Sequence, residues 1–407
     1  MRFPEFSGEW EQHSLSDYLR FKNGLNPDAK RFGKGIKFIS VMDILNNASI
    51  SYDCVRASVA ATEQEISDFE VEYGDVLFQR SSETLEDIGR SNIYVDSRHC
   101  VFGGFVIRGK KIGEYEPYFM KYRLDSPYAR KSIIVKGAGA QHFNIGQEGL
   151  SKVELFFPKY EEQVKIGDLL RIIDDRINTQ SKIIEELTTL RSALYDSIFC
   201  SPEQEMPKFR IQSFSGKWQL CQLNEICSRK SIKNKDNLYS RVLTIAAQHG
   251  LVDQESFFKK RIASENLESY LCLEKGDFAY NKSYSSDYPW GAVKRLSNFD
   301  KGIISPLYIC FTPKPEVVDP DYLAHYFEST KWHSGISEIS GEGARNHGLL
   351  NMSVIDYFNT CHRIPGLDEQ KAIAIRLNAI AHKLQTEQEY LELLNRQKDC
   401  FLKQMFI

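Results

Sequence analysis

Phe6, Ser7, Gly8, Trp10 and Leu15 recur 208 residues later as Phe214, Ser215, Gly216, Trp218 and Leu223. Gly74-Asp75 in EYGDVLFQRS lines up with Gly276-Asp277 in EKGDFAYNKS, and Glu116-Pro117 with Asp319-Pro320. Gly137, Gly139 and Ala140 return as Gly341, Gly343 and Ala344, then Pro158, Glu162 and Gln163 as Pro365, Glu369 and Gln370. Order and spacing survive along the whole of each copy, which chance does not supply. A period near 200 residues is too long for a solenoid. The 407 residues are therefore two copies, each a mixed segment of about 155 residues followed by a helix-forming segment of about 40.

The helix-forming segments constrain the architecture next. After Pro158 the run KYEEQVKIGDLLRIIDDRINTQSKIIEELTTLRSALYDSIF has no proline and one glycine, and its apolar residues keep heptad spacing. Ile166, Leu170, Ile173, Ile177, Ile184, Leu187, Leu194 and Ile198 form one seam. Ile373, Leu377, Ile380, Leu384, Leu391, Leu394, Phe401 and Met405 occupy the same positions in the second copy. Gln180 and Arg191 interrupt the first seam, Glu387 and Lys398 the second, at matched places. Polar seam residues cost stability but fix register and partner, so the two helices are expected to recognise each other. A helix of about 40 residues spans roughly 60 Å, beyond the reach of one such domain. An antiparallel pair with an approximate two-fold is the simplest closed arrangement. The linker SPEQEMPKF, with two prolines, ends the first helix.

Each mixed segment reads as α+β. Short apolar or alternating runs (GIKFISV, GDVLFQR and CVFGGFVIR, then RVLTIAA, GDFAYNK and GIISPLYICF) are bounded by turn residues and predict strands. One helix is expected after each Glu/Asp-Pro pair, over YFMKYRLDSPYARKSI and YLAHYFESTKWHSGI, with its aromatic residues in the core. No apolar run reaches the roughly 18 residues of a membrane span, and the start lacks a signal-peptide pattern, so a chain mature from residue 1 is expected. Nine scattered cysteines without a C-x-x-C pair predict reduced thiols and no zinc site. Catalytic patterns are equally absent. Ser286-Asp287-Tyr288-Pro289-Trp290 is near the D-P-P-W motif of amino methyltransferases, but Tyr288 replaces a proline and no Gly-rich cofactor loop precedes it. Gly137-Ala138-Gly139-Ala140 lacks a Walker lysine and reads as a flexible turn.

Shared anchors are scaffold, so function is sought where the copies differ. After the first GD strand come Gln79, Arg80, Ser81 and Ser82, against Asn281, Lys282, Ser283 and Tyr284 in the second copy. After the small Gly turn come Gln141 and His142, against Arg345, Asn346 and His347. Arg, Lys, Gln and Asn are the side chains that read guanine and adenine edges, which makes these the candidate DNA contacts. Basic clusters would hold phosphates: residues 108 to 136 contain eight Lys/Arg and three acids, and Arg229, Lys230, Lys233 and Lys235 share one stretch. Net charge is only −3, divided as −4 over residues 1–200 (26 basic, 30 acidic) and +1 over the rest (26 basic, 25 acidic). Neither half is a freestanding basic DNA binder.

Two FSGxW-led domains, each with a GD strand, a GxGA turn and a closing PKYEEQ or PGLDEQ before a long helix, resemble the specificity subunit of type I restriction-modification enzymes along the whole chain. The resemblance implies target recognition domains at residues 1–158 and 209–365, each reading half of a split, asymmetric site in double-stranded DNA. The central helix and linker (159–208) and the C-terminal helix (366–407) would form an antiparallel coiled coil that fixes the spacer. It further implies a non-catalytic cytoplasmic subunit with no cofactor of its own. That subunit would dock two modification subunits, which bind S-adenosylmethionine and methylate adenine, and restriction subunits that translocate and cut DNA. An enzyme acting alone would need catalytic motifs that are not found, and a purely structural coiled-coil adaptor leaves the duplicated domains unexplained.

Overall fold

The computed structural model describes residues 1–139, 142–247, 250–260, 266–340 and 348–406. It divides into two compact units, Met1–Lys182 with Gln388–Ile407 and Ile183–Glu387. Unit 1 contains β1 (Glu11–Ser14), β2 (Leu19–Asn23), β3 (Phe32–Ile39), β4 (Ser58–Val59), β5 (Glu70–Val71), β6 (Val76–Gln79), β7 (Ser81–Ser82), β8 (Ser91–Ile93), β9 (Cys100–Phe102), β10 (Val106–Lys111), β11 (Phe143–Asn144) and β12 (Glu154–Phe157). They form sheets β2-β10-β6-β8 and β4-β3-β9-β5 with the pairs β1-β12 and β7-β11. Unit 2 contains β13 (Gln219–Gln222), β14 (Cys227–Arg229), β15 (Val242–Ala246), β16 (Gly250–Asp253), β17 (Leu271–Glu274), β18 (Phe278–Asn281), β19 (Ala292–Arg295), β20 (Lys301–Ile304), β21 (Ile309–Pro313) and β22 (Cys361–Ile364). Its sheets are β14-β21-β18-β19 and β16-β15-β20-β17, with the pair β13-β22. The topology is duplicated down to pairing sense, since β3–β9 and β15–β20 are the parallel pairs in otherwise antiparallel sheets.

The apolar runs become strands buried on both faces. Along β6, Val76 and Phe78 enter one core while Leu77 enters another, and along β18, Phe278 and Tyr280 part from Ala279 in the same way. Period-two alternation thus places one sheet between a helical layer and the second sheet. Each GD dipeptide makes the turn into that strand. Gly74 and Gly276 hold φ of 90° and 97°, where glycine is favoured. The buried Asp75 carboxylate accepts from the Glu72 and Lys111 backbone N–H groups at 3.1 and 2.9 Å, and Asp277 accepts from Glu274 at 2.7 Å.

The helix expected after each Glu/Asp-Pro pair is broken in two. Pro117–Asp125 is followed by Pro127–Ile134, and Pro320–Glu328 by His333–Ile339. Pro127 pushes Ser126 into extended backbone (ψ 148°), and Ser126 then caps the second helix through the Ala129 N–H. Ser329 likewise turns extended, at ψ 173°. Phe119, Tyr122, Tyr322 and Tyr326 on these helices are buried in the cores.

The recurrent Glu-Gln pair ties each long helix to its domain. Arg2 grips the buried Glu162 carboxylate with two bonds of 2.8 and 2.7 Å, and Arg210 grips Glu369 with the same two distances. Gln163 Oε1 accepts from the Glu116 N–H at 3.1 Å while its Nε2 donates to the Pro158 carbonyl at 2.9 Å. Gln370 makes the same bridge from the Asp319 N–H to the Pro365 carbonyl, at 2.8 Å in each arm. One amide therefore joins the end of a strand, the start of a domain helix and the first turn of a long helix.

The long helices run Tyr160–Ile198 and Leu367–Gln404. All twenty seam positions, including the four polar ones, are buried or half-buried. In unit 1, Ile166, Leu170 and Ile173 share a core with Leu402, Met405 and Phe406. In unit 2, Tyr195 and Ile198 share one with Ile373 and Leu377. Within each unit the start of one helix meets the end of the other, so the pairing is antiparallel. The seam lysine Lys398 pairs with buried Asp174 at 2.6 Å, and Asp174 also accepts from the Tyr122 hydroxyl at 2.7 Å. At the equivalent place in unit 2, His325 bonds both Tyr195 and Asn378 at 2.9 Å. Replacing Lys398 with alanine leaves Asp174 buried with only the hydroxyl and Lys121, 3.8 Å away. The expected cost is about 3 kcal/mol in thermal unfolding, reduced when Asp174→Asn is added.

Candidate nucleic-acid interface

The strand that follows each GD turn ends where three loops meet. In unit 1, β6 pairs with β10, placing Gln79 opposite Val106. One residue further, the Arg80 N–H donates to the Phe105 carbonyl at 2.9 Å, while the Arg80 carbonyl accepts from the Ile145 N–H at 3.0 Å. Ser81 and Ser82 then pair with Asn144 and Phe143. The Gly turn folds back on the same segment: the Ala138 and Asn144 N–H and C=O groups bond reciprocally at 2.9 Å. Gly139 is required there, because a Cβ would lie 2.1 Å from the His142 carbonyl oxygen. The backbone thereby gathers Gln79, Arg80, Ser81 and His142 on one platform.

Unit 2 builds the same platform. The Lys282 carbonyl accepts from the Leu350 N–H at 2.9 Å, Ser283 bridges to Leu349, and the Tyr284 N–H donates to Gly348 at 3.2 Å. Arg80 and Lys282 hold the same place in the two hydrogen-bond patterns. Gln141, Arg345, Asn346 and His347 lie outside the described residues.

The gathered side chains differ in what they offer. Gln79 is buried, and its Nε2 donates to the Ser81 carbonyl at 2.9 Å. Asn281 turns to its own loop in the same way, its Oδ1 accepting from the Ser283 N–H at 3.0 Å. These two brace the turn. Arg80 is half-buried with one donor on the Gly104 carbonyl at 3.3 Å, which leaves the rest of its fork for an acceptor. His142 and Ser283 are exposed, and Ser81 and Lys282 half-buried. The turn at Gly103 to Val106, between β9 and β10, belongs to the platform although the sequence pattern did not mark it as such. The one available signal was the Gly-Gly pair inside CVFGGFVIR, which marks a turn.

Much of the first basic cluster is scaffold rather than phosphate-facing surface, contrary to expectation. Arg123 is fully buried against the rings of Trp10, Tyr128 and Phe406, and burial pushes its pKa down to about 10. Arg108 is buried over Phe102, also with a lowered pKa from desolvation. Lys121 is buried beside Asp125 at 3.1 Å, and Arg130 bonds the Glu86 and Ile88 carbonyls. Lys131 and Lys136 remain exposed. In unit 2, Lys230 pairs with Asp277 at 3.1 Å, whereas Arg229, Lys233 and Lys235 are exposed. Alternation alone could not separate these cases, since a long basic side chain buries its stem readily.

Among the described residues no cluster of His, Cys, Asp and Glu could hold a metal ion, and no helix is long and apolar enough to cross a membrane.

Residues 7–189 match the family described as Type I restriction modification DNA specificity domain. The chain is 25% identical over 229 residues to the type I restriction enzyme MjaX specificity subunit of Methanocaldococcus jannaschii, covering 54% of this chain and 53% of that protein. It is 21% identical over 420 residues to the MjaVIII specificity subunit of the same organism, covering 98% and 91%. The fold is similar to the crystal structure of a type I restriction-modification S subunit from M. genitalium, with a TM-score of 0.60 and 15% identity over 100% of this chain and 99% of that one. A second solved chain, from work on assembly and conformational transition of a type I system, has a TM-score of 0.56 and 12% identity, with 98% and 97% covered. The family match over residues 7–189, a relative aligned along nearly the whole chain and the fold shared with a solved S subunit all make the chain similar to the specificity subunits of type I restriction-modification systems.

Proposed function

We propose that this chain is a type I specificity subunit, which reads a bipartite, asymmetric site in double-stranded DNA and presents it to modification and restriction subunits docked on it. Residues 1–158 would read one half-site and residues 209–365 the other, with the helices in 159–208 and 366–407 fixing the gap between them. As a specificity subunit the chain is non-catalytic. Methyl transfer to adenine and DNA cleavage would belong to its partners, two modification subunits and the restriction subunits.

The observation that carries this reading is the duplicated platform with unlike side chains at like places. The Arg80 carbonyl in one copy and the Lys282 carbonyl in the other accept equivalent backbone bonds, from Ile145 and Leu350, but the two side chains differ in donor geometry. A planar guanidinium pairs two acceptors on one base edge, and an ammonium acts as a point donor. Identical scaffolds carrying different readers support two different half-sites rather than a palindrome. The exposed Lys131, Lys136, Arg229, Lys233 and Lys235 would contact phosphates, which position the duplex without reading it.

The test is Arg80→Ala in the assembled complex. Discrimination at the first half-site should fall by about 1 to 3 kcal/mol, roughly 5- to 150-fold, with the second half-site unchanged. Lys282→Ala should do the reverse. Equal losses on all DNA would make Arg80 a phosphate contact and remove the support for base reading at this platform.

A further inference from the structure

We infer that Phe105 and Leu307 are apolar reading heads, each packing on the 5-methyl group of a thymine in the major groove, beside the base reached by Arg80 or Lys282. The inference rests on the DNA reading proposed above and deepens it. Both residues stand in the tight turn that leads from one sheet of their unit into the other, Phe105 between β9 and β10 and Leu307 between β20 and β21. Phe105 is 70% exposed and Leu307 67%. The two turns are alike, closed by the Val106 N–H on Gly103 at 2.8 Å and by the Tyr308 N–H on Ser305 at 3.1 Å.

They are also equivalent across the sheet. The pairing of Gln79 with Val106 continues to Arg80 and Phe105, whose backbones are hydrogen-bonded. In unit 2 the ladder ends at Tyr280 and Ile309, and the same register carried two residues further sets Lys282 opposite Leu307. Each platform thus presents a cation and, alongside it, a bare apolar side chain.

Folding gives no reason for an apolar residue at these tips. The neighbouring Phe102, Val106, Ile304 and Ile309 are buried and supply the core contacts, while the tip of a tight turn is served by Gly, Asn, Asp or Ser. A single exposed hydrophobic residue is ordinary on any surface. Two at equivalent positions, each beside an equivalent cation, are not explained that way. The chemistry then selects the ligand. Neither side chain can donate or accept a hydrogen bond, so neither can read a polar base edge or a phosphate. The thymine methyl is the apolar feature of the major groove. Phe and Leu differ in reach and shape, as expected if the two half-sites present that methyl at different steps.

The experiment uses the full chain assembled with its modification subunits and a duplex carrying the mapped target. Thymines are replaced one at a time by uracil, which keeps the pairing and deletes the methyl. In the wild-type complex one replacement in each half-site should weaken binding about four-fold, the worth of one buried methyl group. In a Phe105→Ala complex the first half-site should lose that sensitivity and keep the second, and Leu307→Ala should do the opposite. Phe105→Leu should retain it, and melting temperatures should not change, since both residues are exposed. A half-site with no uracil-sensitive thymine, or a sensitivity that survives Phe105→Ala, would overturn the inference. So would 2-aminopurine beside the site brightening only when Phe105 is present, because that marks a wedge between base pairs. Failure of the wild-type complex to prefer its target over unrelated DNA would instead reject the DNA reading itself.

Discussion

Deleting one matched heptad from both long helices, residues 183–189 and 383–389, should shorten the preferred spacer by one to three base pairs and leave both half-site sequences unchanged. Equal deletions leave intact the antiparallel register within each unit, set by Asp174 and Lys398 in unit 1 and by Tyr195 and Asn378 through His325 in unit 2. Seven residues remove about 10 Å of helix, equal to roughly three base pairs at 3.4 Å each. The seam keeps its face, because two helical turns nearly match a heptad and drift by only about 20°. DNA does not share that property. Each base pair removed rotates one half-site by about 35° around the duplex, which favours a shift smaller than the length alone would give. Methylation mapping reads the result directly. An unchanged spacer, or altered half-sites, would contradict a helical ruler.

Acid should unfold unit 2 before unit 1. His362 is buried, with Tyr326 at 3.0 Å from Nδ1 and Thr360 Oγ1 at 2.9 Å from Nε2. The Thr360 hydrogen is committed to the Tyr357 carbonyl at 2.7 Å, so Thr360 accepts from Nε2–H and Tyr326 donates to Nδ1. Both ring nitrogens are thus satisfied by the neutral imidazole. Desolvation holds the His362 pKa down at about 4, and burial lowers that of His325 as well, opposed in part by Asn378 and Asp321. The unfolded chain binds these protons near pH 6.5, the folded chain only well below it. Stability is therefore complete above pH 6.5 and is lost as the pH falls toward 4, by about 3 kcal/mol for His362. Unit 1 carries Tyr122 and Leu155 at the equivalent positions and has no buried histidine. Hydrogen exchange at pH 7.5 and pH 4.5 should show selective loss of protection in residues 209–365. Parallel loss in both units, or an undiminished pH slope in His362→Leu, would contradict this.

The duplication was legible in the residues because its anchors do backbone work. Gly74 and Gly276 turn into a strand, and Gln163 and Gln370 join three elements. Such roles tolerate few residue types and leave a spaced pattern. Strands buried on both faces and a heptad seam were legible for the same reason. What stayed hidden depends on contacts distant in sequence. Arg2 reaches Glu162, and Asp174, off the seam, meets Lys398 more than 200 residues later. Arg108 and Arg123 read as a basic surface, yet they pack on rings contributed by other elements. Phe105 read as part of a strand run, and only the register of β6 on β10 sets it beside Arg80. The site was therefore visible as a set of variable polar positions, while the division into braces, readers and scaffold required the fold.

Adenine methylation mapped across a genome carrying this chain with its modification subunits tests the central claim most directly. Two platforms with different readers predict a split, non-palindromic motif, with two unlike half-sites separated by a fixed gap of unread bases. A continuous motif, a palindrome of identical halves, or methylation that persists when this chain is removed would contradict it.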